Sequence, residues 1–402
     1  MTETKVEPAM LTNKLLDSWA TDPIGPVALH LKQRLLAVEG VAGEEQIIYP
    51  PTYADIGYNI DRLADGTRVA LIDSVGSQAN RLEPAFKGGS GGLAELVPQI
   101  DIVLRKEPCG ECDPCKKANK PSADKCKNPW KEKRSLFDLA HRVADAVVQS
   151  SPSLLPKVEK AFSTLRKTGD ASLLCTIAPT SLVFGCWDSR GGSGEKRPRL
   201  VRAIIRAWDV DELHAAAQFN SVWKALNEEQ QNVLTKEAKA KKKKLSVTGF
   251  ADAPAVKYKD GRRVLGGILA RGPIQRDVTI NLVALRGLNG GERTESLRKY
   301  LLALSILSGT ADIELFLREG CNLKYADDAD QWYVVPRRGK EEPVDLVSDE
   351  AQKLAREYAQ EHYKPFKQAW DKLALGSDHE FDLKAAKELL GKTTEEDQET
   401  GS

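Results

Sequence analysis

The stretch R-V-A-L-I-D-S-V-G-S-Q-A-N-R-L-E occupies residues 68–83 and predicts a strand that turns into a helix. Its first half is rich in aliphatic residues, which is the pattern of a buried strand. Gly76 then provides the bend, and Asn80 and Arg81 lie beside it. We therefore expect polar side chains at the end of this strand.

Outward from this stretch, strand and helix patterns alternate with long insertions, which favours an α+β or α/β fold. Residues 199–210 carry arginines at helical spacing, but their β-branched content leaves a strand open. Strands are predicted over 173–184, 264–285 and 331–336, and helices within 11–42, over 135–148, within 211–257, and over 292–308 and 348–374.

Composition limits the function classes. The chain has 402 residues and a formal net charge of +1, so any basic surface for nucleic acid must be local. No stretch approaches the ~18 apolar residues of a membrane span, and the polar N-terminus lacks a secretory signal pattern. The seven cysteines are an odd number, which favours a reducing compartment and a metal over disulfides. We expect a cytoplasmic protein that does not contact a membrane.

Four of the cysteines form the motif C-G-E-C-D-P-C-K-K-A-N-K-P-S-A-D-K-C, at Cys109, Cys112, Cys115 and Cys126. Two-residue gaps let thiolates from one tight turn point to a common centre, and the fourth cysteine completes a tetrahedral shell. The spacing partly overlaps with that of iron–sulfur proteins, but the segment is hydrophilic and rich in lysine. Structural zinc is therefore the preferred interpretation. Four protein ligands leave no open position for catalysis.

A glycine-rich loop, F-G-C-W-D-S-R-G-G-S-G-E-K-R-P-R, spans residues 184–199. It lacks the G-K-[ST] ending of a phosphate loop and the G-x-G-x-x-G pattern, which argues against a nucleotide cradle. Six Lys or Arg residues lie between positions 190 and 206, against the single acid Glu195. Arginines bind phosphates through a bidentate fork, so an extended anionic polymer is favoured. A solvated basic loop is the plain alternative.

Catalytic groups are hard to assemble from this sequence. The five histidines are dispersed without metal-ligand spacing. Asp73 and Asp188 both follow strand patterns near glycine turns, which leaves a metal-dependent nuclease open. A zinc-dependent nucleotide-processing enzyme is a further alternative. We expect a protein that is not an enzyme.

Several long blocks together resemble a known family. They are L-I-D-S-V-G-S-Q-A-N-R-L-E (71–83), R-S-L-F-D-L-A-H-R-V-A-D-A (134–146), P-T-S-L-V-F-G-C-W-D-S-R-G-G (179–192) and G-G-I-L-A-R-G-P-I-Q-R-D-V-T-I-N-L-V-A-L-R (266–286). The chain is similar to the backbone subunit of type I-G (formerly I-U) CRISPR Cascade effector complexes, a member of the RAMP superfamily.

The resemblance implies an α+β fold with an RRM-like (ferredoxin-like) core and large helical and finger/thumb insertions. Residues 1–67 would be an N-terminal helical extension, and residues 68–310 the palm. The palm would carry the cysteine-rich zinc knuckle at 105–134 and a helical, basic insertion with a thumb at 211–262. Apart from the resemblance, the residue patterns predict that residues 311–402 form a C-terminal strand and helix with a disordered acidic tail.

The resemblance also implies partners and contacts. The subunit would polymerise along CRISPR RNA, present it to target DNA, and pack against copies of itself, the large subunit and a fused guide-processing and cap subunit. A helicase-nuclease would be recruited after target binding. A backbone subunit that cleaves RNA through a metal at Asp73 or Asp188 is the main alternative. The expected RNA-binding residues are Ser77, Asn80, Arg81, Arg190, Lys196, Arg197, Arg199, Arg202, Lys257, Lys259, Arg262, Arg263, Arg271 and Arg276.

Overall fold

The structure is a computed structural model, and it describes residues 7–88, 92–188, 195–196, 198–214, 222–243, 245, 250, 265–326 and 331–390. The helices are α1 Asn13–Thr21, α2 Val75–Leu82, α3 Asp113–Lys117, α4 Ala146–Gln149, α5 Leu155–Thr168, α6 Ser172–Ile177, α7 Thr180–Val183, α8 Glu228–Ala240, α9 Leu282–Arg286, α10 Thr294–Gly309 and α11 Asp349–Leu373.

The strands are short apart from those at the centre of the main sheet. They are β1 Ala28–Ala37, β2 Gln46–Ile48, β3 Thr52–Tyr53, β4 Gly57–Tyr58, β5 Ile60–Arg62, β6 Arg68–Asp73, β7 Asp101–Glu107, β8 Trp130–Ser135, β9 Trp187–Asp188, β10 Glu195–Lys196, β11 Val201–Trp208, β12 Val210–His214, β13 Leu265–Ala270, β14 Ile274–Asn281, β15 Phe316–Arg318, β16 Cys321–Tyr325, β17 Trp332–Val335, β18 Glu342–Val344 and β19 Asp378–Glu380.

The main sheet is antiparallel and has the order β15-β16-β1-β14-β11-β6-β5, with β17 also pairing with β1. In the three central strands, alternate side chains are buried: Leu29 and Leu31 in β1, Val278 and Ile280 in β14, and Ala203 in β11. Because successive side chains of a strand point to opposite faces, one face of the sheet packs against the core and the other carries the polar residues between them.

The core lies on one side of this sheet. Helices α10 and α11 pack on each other, and α10 and α2 lie against the central strands. Residues Leu297 to Gly309 of α10 are almost all buried, which explains why this helix is apolar around its whole circumference. The other face of the sheet carries exposed polar side chains such as Lys32 and Arg202.

The opening stretch folds as its sequence indicates. β6 ends at Asp73, and Ser74 caps α2, since its side-chain oxygen accepts a hydrogen bond from the backbone N–H of Ser77 at 3.2 Å. Asn80 and Arg81 therefore lie on a helix and not on a loop. The α+β fold class is confirmed.

The prediction of helical structure over residues 11–42 is wrong beyond α1. Residues 28–37 form β1, which pairs with β14 at the centre of the sheet. Residues 1–67 are therefore not helical throughout, because β1 joins the main sheet. Strands from all three of the predicted parts join one sheet, because β1, β6, β14 and β16 pair with one another through β1 and β11.

Two further element predictions are wrong for a physical reason. Residues 173–184 form the short helices α6 and α7 instead of a strand, with Pro179 between them. A short apolar run buried on all sides cannot be assigned to strand or helix from its pattern. Residues 135–148 form two 3-10 turns and α4 instead of one amphipathic helix.

The remaining central and C-terminal elements agree with the sequence. Residues 199–210 contain a strand, β11, and 264–285 contain β13 and β14. Helices α10 and α11 and strand β17 lie where they are predicted. Among the described residues, no helix is both long and apolar enough to cross a membrane. The segment 257–262, with the Asp260-Gly261 turn expected for the thumb, and the acidic tail lie outside the described residues.

Candidate nucleic-acid interface and metal centre

The four motif cysteines converge on one point at the tip of a hairpin. β7 and β8 pair from Asp101↔Ser135 to Glu107↔Trp130, and residues 108–129 beyond the last pair form what we call the cysteine finger. The sulfur of Cys112 lies 3.3 Å from that of Cys115 and 3.7 Å from that of Cys126. All four sulfurs lie within 4.8 Å of one another, so they could hold a metal ion.

The chemistry of this sulfur set fits zinc. Tetrahedral zinc with bonds of ~2.3 Å places its sulfur ligands ~3.8 Å apart, close to the observed separations. Backbone N–H groups also point at the sulfurs: that of Cys112 donates to Cys109, and that of Cys109 donates to Cys126. A hydrogen bond from the backbone of Lys127 lowers the pKa of Cys112 to about 6, which favours the thiolate form that metals bind.

Asp73, a candidate metal ligand in the nuclease hypothesis, is instead part of a buried ion network. Its Oδ2 accepts from Gln78 at 2.6 Å and from Arg81 at 3.2 Å, and its Oδ1 lies 3.5 Å from Arg318. Both arginines also donate to backbone carbonyls, Arg81 to Leu317. Asp73 is 1% exposed. Its oxygens are occupied by protein donors, and the geometry argues against a metal there.

A second buried acid lies just after α2. Glu83 is fully buried, and the Nε of Arg142 lies 2.6 Å from its Oε2. The same guanidinium donates to the carbonyl of Gly185 at 3.2 Å and to Oδ1 of Asn80 at 3.4 Å, and it stacks over the ring of Phe184. Arg142 thus ties the end of α2 to the root of the glycine-rich loop.

The backbone of Arg142 is itself unusual. Its φ is +55°, in the left-handed region that non-glycine residues rarely adopt. Such backbone strain is retained where the surrounding contacts fix it, and it is concentrated at functional sites. Here the contacts of the buried guanidinium hold it in place.

Arg199 lies near Arg142 of this pair. Burial and then the nearby charge of Arg142 lower the pKa of Arg199. Its Nε is buried without a hydrogen-bond partner among the described residues. We call Asn80, Glu83, Arg142 and Arg199 the arginine cluster. It contains two guanidinium groups and one carboxylate, and one donor, the Nε of Arg199, has no partner among the described residues.

The arginine cluster brings together two of the segments that the sequence selected. Asn80 is exposed on α2, and Arg199 precedes β11. Ser77 is one turn before Asn80 and half-buried. Unused N–H donors near an exposed amide are suited to bind an anion such as a phosphate.

The other predicted RNA-binding residues that the structure describes lie apart from the arginine cluster or bind other protein groups. Arg202 is exposed on the polar face of the sheet. Arg271 forms ion pairs with Glu45 and Asp211. Arg276 is 1% exposed and donates to Gln78 and Gln33 in the interior. The prediction that Arg276 contacts RNA is therefore wrong, because its buried guanidinium group donates hydrogen bonds to amide side chains in the core.

Several predicted residues cannot be placed. The structure gives only the backbone of Lys196 and Asp188, which lie in the paired strands β9 and β10. The predicted contacts outside the described residues are Arg190, Arg197, Lys257, Lys259, Arg262 and Arg263.

Sequence reasoning missed Arg142 and Glu83. Both lie inside the segments that carry the family resemblance, but charged residues are usually exposed, so the sequence did not indicate that these two are buried. It also missed Lys32, because β1 was read as helix. The alternation A-L-H-L-K-Q-R-L over 28–35 is a strand signal that would have identified it.

Part of the chain matches a known protein family. Residues 30–212 match the family model described as CRISPR-associated protein GSU0053 (Cas_GSU0053), a little under half of the chain. The matched range includes α2, the cysteine finger, Arg142 and β11. Over this range the chain is similar to CRISPR-associated proteins, which supports a role in CRISPR defence. A search of curated proteins found no match.

Proposed function

We propose that this chain is an RNA-binding backbone subunit of a type I-G Cascade complex, which oligomerises along CRISPR RNA and presents it to target DNA. The family match supports the CRISPR context. The observation that carries RNA binding is the arginine cluster, in which the buried Glu83–Arg142 pair contacts Asn80 and lies near Arg199, whose Nε has no hydrogen-bond partner among the described residues.

A subunit that must accept any guide has to read the backbone and leave the bases free to pair. Arginine forks and amide groups suit phosphates and carry no sequence information by themselves. The protein's small net charge suits a subunit that stacks on copies of itself, because a uniformly basic surface would repel them. The large subunit, the cap subunit and the helicase-nuclease would complete the complex.

This role does not require catalysis by the chain. The engaged oxygens of Asp73 support a non-enzymatic subunit. If Asp188 carried a nuclease activity instead, the assembled complex with magnesium would cut complementary RNA, and Asp188→Ala would abolish the cuts.

The test is co-expression with a CRISPR array and the other complex subunits. We expect the purified complex to contain RNA of uniform length and to form equally well with unrelated spacers. A complex that assembles without RNA would overturn the proposal. RNA binding that depends on the spacer sequence would show that the protein reads the bases and not the RNA backbone.

We further propose that the cysteine finger binds one structural zinc ion through Cys109, Cys112, Cys115 and Cys126. Bound zinc would order a segment that has few apolar residues of its own. Metal analysis should give one zinc per chain and near zero for Cys112→Ser/Cys115→Ser. The matched control is Cys175→Ser, at a buried cysteine outside the finger. Equal zinc in the two variants would refute this ligand assignment.

A further inference from the structure

The polar face of the main sheet carries a second group of basic side chains that lie in register. Arg202 of β11 is opposite Thr279 of β14, Thr279 is opposite His30 of β1, and His30 is opposite Tyr333 of β17. Strands lie ~4.8 Å apart, so this row extends over ~14 Å. The Nδ1 of His30 lies 3.1 Å from the hydroxyl of Thr279, which fixes the middle of the row.

Two parallel rows add charge. Lys32 of β1 is opposite Asp277 of β14, and Arg206 of β11 is opposite Gln275 of the same strand. We call the surface formed by His30, Lys32, Arg202, Arg206 and Tyr333 the open face.

The basic side chains of the open face do not contribute ion pairs to the fold among the described residues. Within the described ranges, Lys32, Arg202 and Arg206 form no ion pair, although Asp277 is a near neighbour. Asp277 instead accepts a hydrogen bond from Gln275 at 2.7 Å. Lys32 and Arg202 are exposed, and the other members are half-buried. The hydrophobic core draws on the residues that alternate with these, such as Leu31 and Ala203.

We infer that the open face binds single-stranded nucleic acid, with phosphates at Lys32, Arg202 and Arg206 and a base stacked on Tyr333. The charges are complementary to a polyanion, and the aromatic ring at one end of the row supplies a stacking platform. An acidic protein surface would also match the charges, but it would not require the aromatic ring of Tyr333 beside them as a nucleic-acid base does. The inference rests on the proposed function and adds a second contact surface to the arginine cluster.

The test measures binding of a fluorescent uridine homopolymer to the purified chain by anisotropy at several salt concentrations. We expect Lys32→Gln/Arg202→Gln/Arg206→Gln to weaken binding about 30-fold and to reduce the salt slope by ~2, since each single-strand phosphate contact contributes ~0.7. The matched control removes the same charge from the exposed finger lysines, in Lys116→Gln/Lys117→Gln/Lys120→Gln. Equal losses in the two triple variants would overturn the inference.

Tyr333→Ala separates stacking from charge. We expect about 10-fold weaker binding at an unchanged salt slope, because stacking releases no counterions. A thymidine homopolymer tested in parallel shows whether RNA is preferred to DNA; either preference fits the inference, whereas tighter binding of an RNA duplex would contradict it. If the triple variant keeps its RNA affinity but loses the other complex subunits, the open face is a protein interface and the inference fails.

The inference and the proposed function fail differently. If the wild type and Arg199→Gln both show no RNA binding, the proposed function is wrong. If Arg199→Gln weakens binding and the open-face variants do not, only the inference is wrong.

Discussion

Two buried acids, Asp73 and Glu83, lie before and after α2, and they use their arginines differently. Asp73 contacts both Arg81 and Arg318, and these guanidinium groups also donate to backbone carbonyls. Among the described residues, Glu83 forms its ion pair with one arginine, Arg142, and nearby Arg199 keeps a buried Nε without a hydrogen-bond partner there. From this comparison we infer that a donor without a partner, and not the number of arginines, would distinguish an anion site from a structural one.

The largest expected effect is at Asp73. Asp73→Asn would leave two arginines without their carboxylate, and removing one partner of a buried ion pair costs about 3–5 kcal/mol. We expect the free energy of unfolding in urea to fall by that amount, with RNA affinity of the folded fraction unchanged. Asp61→Asn, at an exposed aspartate of β5, is the control. A variant that stays stable but loses RNA would place Asp73 in the binding site.

Glu83 should make stability depend on pH. Burial raises the pKa of Glu83 to about 7 from its ordinary 4.5, against the opposing effect of Arg142. The folded state therefore holds a proton that the unfolded state releases, so this contribution is complete below pH 4.5 and disappears as pH rises through 7. Its slope is at most about 1.4 kcal/mol per pH unit.

The measurement is the free energy of unfolding from pH 4 to 8 (a range of about four units) for wild type and Glu83→Gln. We expect the variant to lack the decline between pH 4.5 and 7. Glu314→Gln, at an exposed glutamate, should retain it. If the free energy of unfolding changes with pH equally in wild type and Glu83→Gln, Glu83 is ionised across the range. The Glu83–Arg142 pair would then keep one carboxylate and one guanidinium charge at every pH tested.

Arg199→Gln tests the unused donors directly. We expect about tenfold weaker RNA binding, because a charge-assisted hydrogen bond to phosphate is lost. Unfolding free energy should change by less than about 0.5 kcal/mol, as Arg199 forms no ion pair with an acid among the described residues. Arg81→Gln should do the reverse and lower stability while leaving affinity intact. If Arg81→Gln weakens RNA binding as much as Arg199→Gln, the comparison between the two acids is wrong.

The smallest effect is expected at Asn80. Asn80→Ala removes a 3.4 Å contact to Arg142 and an exposed amide, and we expect affinity to fall about threefold with stability nearly unchanged. Affinity measured with two unrelated spacers should fall equally. A loss with only one spacer would mean that the amide reads a base.

Part of this arrangement could be predicted from the sequence. The aliphatic run 68–73 identified β6, and regular spacing identified the four cysteines, because both signals are local. Arg142 escaped notice, since its partners Gly185 and Asn80 are 43 and 62 residues away. Arg276 was misjudged because arginine is seldom fully buried, so its type suggested a surface contact. Pairings across the chain become visible only when the sheet is assembled.

The antiparallel ladder below the cysteine finger has a practical consequence. Glu107 and Trp130 are its last pair, and Lys131 and Lys133 of β8 also form ion pairs with Asp378 of β19. Everything that depends on the cysteines lies beyond that pair, while β7 and β8 are anchored from the other end. The finger is thus a self-contained module, and its loss under oxidation or chelation would be confined to the tip and leave the sheet and the arginine cluster intact.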